Sequence, residues 1–263
     1  MMRAPSAERA WTIDRMQIRQ YSSRAEMGRA AADDVAEAMR EKLKAQGTLR
    51  MIFAAAPSQN EFLHYLVQAE GIDWKRVTAF HMDEYIGLSL GAPQLFSHFL
   101  TTKLFSRVNP GEVHLMNGSA DPVQECKRYA GLLQEAPLDI VCLGIGENGH
   151  IAFNDPPVAD FNDPFTVKRV QLDDLCREQQ VHDGCFDLLE NVPEYALTMT
   201  IPALISAEKL FCIVPGASKR NAVQSALKGL VSPSCPASVL RTHTDCQLYL
   251  DRDSCPGDEE FAG

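Results

Sequence analysis

Apolar residues near the start of the chain recur at helical spacing: Met27, Ala31, Val35, Met39 and Leu43 follow at intervals of four until Gly47 stops the run. Ser23-Arg24-Ala25-Glu26, just ahead, is a capping-box signature. Leu49 to Ala56 is then a short, nearly continuous apolar stretch of buried-strand character. The alternation continues with a helix from Asn60 to about Glu70, a strand over Arg76–Met82, a helix over Gln94–Phe105 and a strand over Val113–Met116. A helix with proline in its first turn, Pro122–Glu135, precedes a central strand, Leu138–Gly144.

After Pro156 the rhythm breaks. Residues 157–190 are rich in Asp, Pro and Asn, and read as a functional lid rather than a passive loop. Order resumes with strands at Tyr195–Thr200 and Lys209–Val214, a helix over Ser218–Lys228 and a last strand near Cys246–Leu250. Strands alternating with helices predict an α/β fold: a doubly wound, mainly parallel sheet with helices on both faces, in a single domain over residues 16–250. Residues 1–15 read as a polar extension ahead of a first strand at Met16–Arg19, and 251–263 as a disordered tail.

Composition narrows the class. The 263 residues suffice for one large α/β domain, and no apolar run approaches the roughly 18–20 residues of a membrane span. The first residues lack the apolar core of a secretory signal. A net charge of −10 argues against nucleic acid as a partner, so an anionic ligand would need a local cationic cluster. The eight cysteines show no CxxC or zinc-finger spacing, and Cys142 and Cys212 fall in apolar strands. Reduced thiols in a cytoplasmic protein are the expectation.

Four segments could carry chemistry. Gly144-Ile145-Gly146-Glu147-Asn148-Gly149 spells GxGxxG after a strand, but Pro156-Pro157 leaves no room for the helix a dinucleotide site requires. The segment reads better as a tight turn at the carboxyl end of a parallel strand. It presents His150, with Asp155 five residues on to steer it as a general acid/base. Asp83 and Glu84 of HMDEY also follow an apolar strand directly; they could cap a helix, sit in water, or work as acids in a dry cleft. Gly216-Ala217-Ser218-Lys219 opens a helix after a strand, either as an ordinary cap or as an anion site.

In order and spacing, RVTAFHMDEYIGL, PQLFSHFLTTKLF, LDIVCLGIGENGHIAFNDP and VPEYALTMTIPALISAEKLFCIVPGASK resemble the glucosamine-6-phosphate deaminase family, within the wider sugar-phosphate isomerase and 6-phosphogluconolactonase superfamily. The resemblance implies an amino-sugar-phosphate deaminase/isomerase that needs neither metal nor organic cofactor. In it Asp83 carries the proton between C1 and C2, His150 opens the sugar ring, and Asp155 and Asn148 support His150. Glu84, Ser58, Gly146, Gly149 and Lys219 are then expected at the substrate, with Lys219 on its phosphate. A homo-oligomer is expected on the same ground. Two alternatives share the scaffold: a lactonase of the 6-phosphogluconolactonase type, and a non-catalytic sugar-phosphate-binding regulator.

The chain departs from the family pattern at four places. Asn148 stands where Asp is usual, and Asp155 where Glu is usual. Ala55-Ala56-Pro57-Ser58-Gln59 replaces the Gly-Gly phosphate loop, and Pro57 has no amide hydrogen to offer an anion. The lid arginine is absent, Asp183 falling at its place by ungapped counting. Arg177, Arg220 and Arg241 are candidate substitutes.

Overall fold

The computed structural model describes residues 5–257. In chain order the first half runs β1 (Arg9–Ile13), β2 (Met16–Tyr21), α1 (Arg24–Gln46), β3 (Leu49–Phe53), α2 (Asn60–Val67), β4 (Val77–His81) and β5 (Asp83–Tyr85). There follow α3 (Phe96–Leu100), α4 (Ser106–Val108), β6 (Glu112–His114), α5 (Pro122–Gln134) and β7 (Ile140–Leu143). The remainder comprises β8 (Val167–Gln171), α6 (Asp174–His182), β9 (Tyr195–Met199), α7 (Ile201–Ile205), β10 (Lys209–Val214), α8 (Arg220–Lys228) and β11 (Cys246–Asp251).

An eight-stranded sheet in the order β1-β2-β11-β10-β7-β3-β4-β6 forms the centre. Every neighbouring pair is parallel except the β1–β2 hairpin. Alternate residues along each buried strand face opposite layers. Ile140, Cys142, Phe211 and Ile213 join Met27, Val35, Phe62 and Leu100 on one side. Val141, Leu143, Leu210 and Cys212 join Tyr129, Leu204, Val223 and Leu227 on the other. That two-sided burial is why these strands read as continuous apolar runs, and it makes the fold the doubly wound α/β class expected.

The direction of winding reverses inside the sheet. From β3 the chain moves outward to β4 and β6; it then returns to β7 and winds the other way through β10 and β11. A crevice opens at the carboxyl ends of strands flanking such a reversal. The segments after β3, β4, β7 and β10 all meet there.

Three expectations need correction. Residues 9–13, placed in a polar extension, form β1, paired antiparallel with β2 from Arg9↔Gln20 to Ile13↔Met16. An exposed edge strand carries polar residues on its open face, so its sequence looks like a tail. The 157–190 segment is not an irregular lid: it contains β8 and α6. β8 pairs with β9, and β9 with β5, in a separate three-stranded antiparallel sheet. At the other end, Asp251 to Pro256 is packed rather than disordered, with Asp251, Ser254 and Cys255 buried; residues 258–263 of the expected tail lie outside the described residues. The predicted helix over Gln94–Phe105 is also less regular than its pattern, passing from α3 into a π-turn at Thr101–Phe105 before α4.

Candidate active site

The crevice is a cavity of about 530 Å³ including its mouth. Ala54–Ala56, Ser58 and Gln59 line it from the loop after β3; Met82 and Asp83 come from the β4 end, and Gly144–Gly146 and His150 from the loop after β7. Lys219 comes from the loop after β10, and Gln179 and Gln180 reach in from α6.

His150 is held from behind. Its Nδ1 lies 2.8 Å from Asn148 Oδ1 and 2.9 Å from Asp155 Oδ1. The Asn148 amide nitrogen faces two carboxylates, Asp155 Oδ1 at 3.0 Å and Asp173 Oδ2 at 3.3 Å. That fixes which end of the amide is which: Asn148 Oδ1 accepts from the His150 backbone amide at 3.0 Å and from Nδ1. Nδ1 therefore carries the proton and Nε2 is left as an acceptor. Burial works to raise the Asp155 pKa, but the nearby imidazole and hydrogen bonds from His150, Asn148 and the Asp173 amide outweigh it and hold the carboxyl below its usual range. An ionised, dry Asp155 behind the ring stabilises the imidazolium that forms when Nε2 takes a proton.

Two glycines shape this turn. A Cβ on Gly146 would fall 2.1 Å from His150 Cε1 and 2.2 Å from Nε2, so the ring lies directly on the backbone there. Gly149 adopts φ +86° and donates to the Gly146 carbonyl at 3.0 Å, closing the bend. No helix opens at Gly149, the next one starting at Asp174; Ile151 and Asn154 instead form an isolated bridge, so the helix a dinucleotide site requires is missing here.

Asp83 and Glu84 differ sharply. Both are buried, but neighbouring strand residues point to opposite faces. Asp83 faces the cavity. Its pKa is pushed well above the usual carboxylate range by burial first, then by the charges of Glu84 and Asp155. Glu84, expected at the substrate, instead accepts the backbone amides of Tyr85 and Phe96 at 3.0 Å and Ser97 at 2.9 Å. It fastens the start of α3 and is absent from the cavity wall. Beside them, His81 is a structural histidine: it accepts the Met116 amide at 2.7 Å, and burial lowers its pKa to about 3.

Lys219 is 4% exposed, and its Nζ has no hydrogen-bond partner among the described residues. The carboxylate of Glu147 stands 3.9 Å away. Burial lowers the lysine pKa, opposed by the charges of Asp183 and Glu147. Its loop is fixed from the last strand: both carboxylate oxygens of Asp251 accept the Gly216 amide at 3.1 Å.

The three arginines considered as substitutes for the missing lid arginine are engaged elsewhere, and none lines the cavity. Arg177 donates to the carbonyls of Leu189 and Val192, Arg220 to those of Asp253 and Arg252, and Arg241 to those of Leu227 and Gly229. Gln59, Gln179, Gln180 and Asp173 were not singled out by the sequence reading, yet all four stand at the site. A glutamine in a polar lid or loop carries no spacing signal; only the fold brings it inward.

Among the described residues, His150, Asp155 and Cys176 have ligand atoms near enough to hold a metal ion. The Cys176 thiol lies against Asp155, and burial pushes its pKa well above the usual value. As a protonated thiol it is a hydrogen-bond donor to the carboxylate and a poor ligand.

Comparison with known proteins identifies relatives in both sequence and fold. A family model described as glucosamine-6-phosphate isomerases/6-phosphogluconolactonase matches residues 22–161. The glucosamine-6-phosphate deaminase of Listeria innocua serovar 6a is 37% identical over 215 residues, 81% of this chain and 90% of that protein. That of Bacillus thuringiensis is 33% identical over 214 residues, 81% and 79% of the two chains. A solved monomeric glucosamine-6-phosphate deaminase superposes with a TM-score of 0.82 at 28% identity, covering 90% of this chain and 98% of that one. The 6-phosphogluconolactonase from Thermotoga maritima shares the fold at a TM-score of 0.75 and 18% identity, over 90% and 100% of the chains. With both sequence and fold in agreement, the chain belongs to the glucosamine-6-phosphate isomerase/6-phosphogluconolactonase family.

Proposed function

We propose that the protein is an amino-sugar-phosphate deaminase/isomerase, acting on glucosamine 6-phosphate or a related hexosamine phosphate and releasing a ketose phosphate and ammonia. The observation that carries the reading is the pairing, in one cavity, of Asp83 with a His150 whose Nδ1 proton is fixed by Asn148 and Asp155. His150 Nε2 takes the proton of the sugar's anomeric hydroxyl, and the resulting imidazolium returns it to the ring oxygen as the pyranose opens. Asp155 steadies that cation. Asp83 then moves the proton from C2 to C1 of the open chain.

Burial and two acidic neighbours disfavour the charged form of Asp83. An amino sugar brings an ammonium group, and a cation beside Asp83 reverses that preference. Substrate binding thus favours the carboxylate form that acts as the base. Lys219, buried and without a hydrogen-bond partner among the described residues, serves the phosphate.

Relatives named as glucosamine-6-phosphate deaminases support the reaction, and eight free cysteines support a reducing, cytoplasmic setting. No described helix is long and apolar enough to cross a membrane. For the assembly we favour a single chain over the homo-oligomer first expected, on the likeness to a monomeric enzyme; light scattering decides it.

The test is incubation with glucosamine 6-phosphate, galactosamine 6-phosphate and 6-phosphogluconolactone, following ammonia, ketose and acid. Ammonia and ketose are expected, and Asp83→Asn abolishes both. Acid from the lactone without ammonia from any amino sugar would replace this reading with the hydrolase.

A further inference from the structure

Besides Lys219 Nζ, the cavity lining contains a second unsatisfied group, Gln59. Gln59 is 1% exposed, and its Nε2 donates to the Ile213 carbonyl at 3.1 Å and to Ser58 Oγ at 3.3 Å. A flipped amide would set two carbonyl oxygens against each other at that distance, so Ile213 fixes the orientation. Oε1 is consequently the free end, and it has no hydrogen-bond partner among the described residues. A buried carbonyl oxygen without a donor is costly, and in a ligand cavity the ligand is the natural source of one.

The charges nearby point the same way. Lys219 is the cation of this wall, but Glu147 stands 3.9 Å from it and Asp183 also acts on it. His182, an exposed side chain 3.5 Å from Glu147, lies behind that carboxylate. The loop before Gln59 contributes Pro57, which has no amide hydrogen. The one lysine of the cavity wall is thus partly neutralised by two carboxylates, and the unsatisfied Gln59 Oε1 can only accept, so a fully charged phosphate dianion is poorly matched.

Resting on the amino-sugar reading above, we infer that Gln59 is a specificity-determining residue whose Oε1 accepts a hydrogen bond from an O–H of the substrate terminus held in the cavity that Lys219 also lines. Two termini supply that chemistry: a free 6-hydroxyl, and the P–OH of a singly protonated phosphate. Both donate to Gln59 and accept from Lys219; the dianion cannot donate.

The test measures binding, apart from turnover, with two unreactive open-chain probes: 2-amino-2-deoxyglucitol and its 6-phosphate. Calorimetric Kd values are taken at pH 5.5 and 7.5 for the wild type and for Gln59→Leu. Gln59→Met, closer in shape, repeats the measurement should the branched side chain not be accommodated. If the terminus is the hydroxyl, the unphosphorylated probe binds and the variants weaken it about tenfold, the loss of one buried hydrogen bond. If it is the P–OH, the phosphate probe binds about tenfold more tightly at pH 5.5, since its second ionisation lies near pH 6. The variants flatten that dependence. Because His150, His182, Glu147, Asp183 and Lys219 also face the cavity or its cation, the pH effect is read as the ratio of the two probes' Kd values. Tighter binding of the phosphate probe at pH 7.5, with neither variant weakening either probe, overturns the assignment of Gln59 alone. Failure of both probes to bind the wild type overturns it together with the amino-sugar reading.

Discussion

Gly146→Ala tests the site at its tightest point. The added Cβ would lie 2.1 Å from His150 Cε1, 2.2 Å from Nε2 and 2.4 Å from Nδ1, where ordinary contact begins at 3.4 Å. The ring must therefore retreat by 3.4 − 2.1 = 1.3 Å. It cannot do so and keep Nδ1 at 2.8 Å from Asn148 and 2.9 Å from Asp155. Losing a hydrogen bond to a charged partner costs about 1.5–3 kcal/mol. At 1.4 kcal/mol per decade that is roughly 10- to 150-fold. A displacement of about 1 Å in a catalytic group independently suggests a loss near 10²-fold. We expect kcat/KM for ammonia release from glucosamine 6-phosphate to fall about 100-fold. The fold should survive, because the Gly146 backbone is not in the left-handed region and alanine can adopt it. A variant with unchanged Tm and kcat/KM within about threefold of wild type would refute the claim that His150 is seated on Gly146 and fixed by its two partners.

Three further substitutions probe the charges. Asp83 binds its proton more tightly folded than unfolded, so stability falls as pH rises from about 4 towards its native pKa, by at most about 1.4 kcal/mol per unit. Asp83→Asn removes that slope: it should be inactive yet melt higher at pH 7, and a lower melting temperature at pH 7 would contradict the assignment. Asp155 has the opposite sign, its depressed pKa stabilising the fold above about pH 4 and losing that contribution as acid protonates it. The urea midpoints of wild type and Asp155→Asn should therefore converge between pH 5 and 2.5; a constant gap would show that the carboxylate is unpaired. Lys219→Met removes a buried ammonium that lacks a hydrogen bond, so apo stability should rise by about 1 kcal/mol while kcat/KM drops at least tenfold; equal activity would exclude Lys219 from substrate binding.

How far the site could be read from the chain depends on the range of the interactions. The parallel strands were visible because two-sided burial leaves uninterrupted apolar runs, as in Ile140–Leu143 and Lys209–Val214. Asp83 and His150 could be joined because each follows such a strand and strand ends converge. The small sheet escaped because β5 has three residues and β8, VKRVQ, buries only Val167 and Val170, which do not alternate. Its register, Asp83 opposite Thr198, is a tertiary fact. The role of Glu84 was open to a simpler argument: adjacent residues on a strand face apart, so Asp83 and Glu84 could not both enter one cleft. Gln59 could not have been foreseen, since its orientation depends on the Ile213 carbonyl, 154 residues away.

The placement of β11 governs the order in which the molecule can assemble. In the central sheet β2 has β1 on one side and β11 on the other, pairing with β11 from Met16↔Cys246 to Asp251↔Tyr21. Synthesis delivers β1 and then β2 early and β11 last among these strands. The β1–β2 hairpin therefore waits for nearly the whole chain before it can join the sheet, and the Gly216 loop waits for Asp251. Lys219 is not secured until the closing strand arrives. A nascent chain halted before β11 would have its Asp83 and His150 segments already made and no finished anion end, so function should appear only when the two extremities of the chain have met.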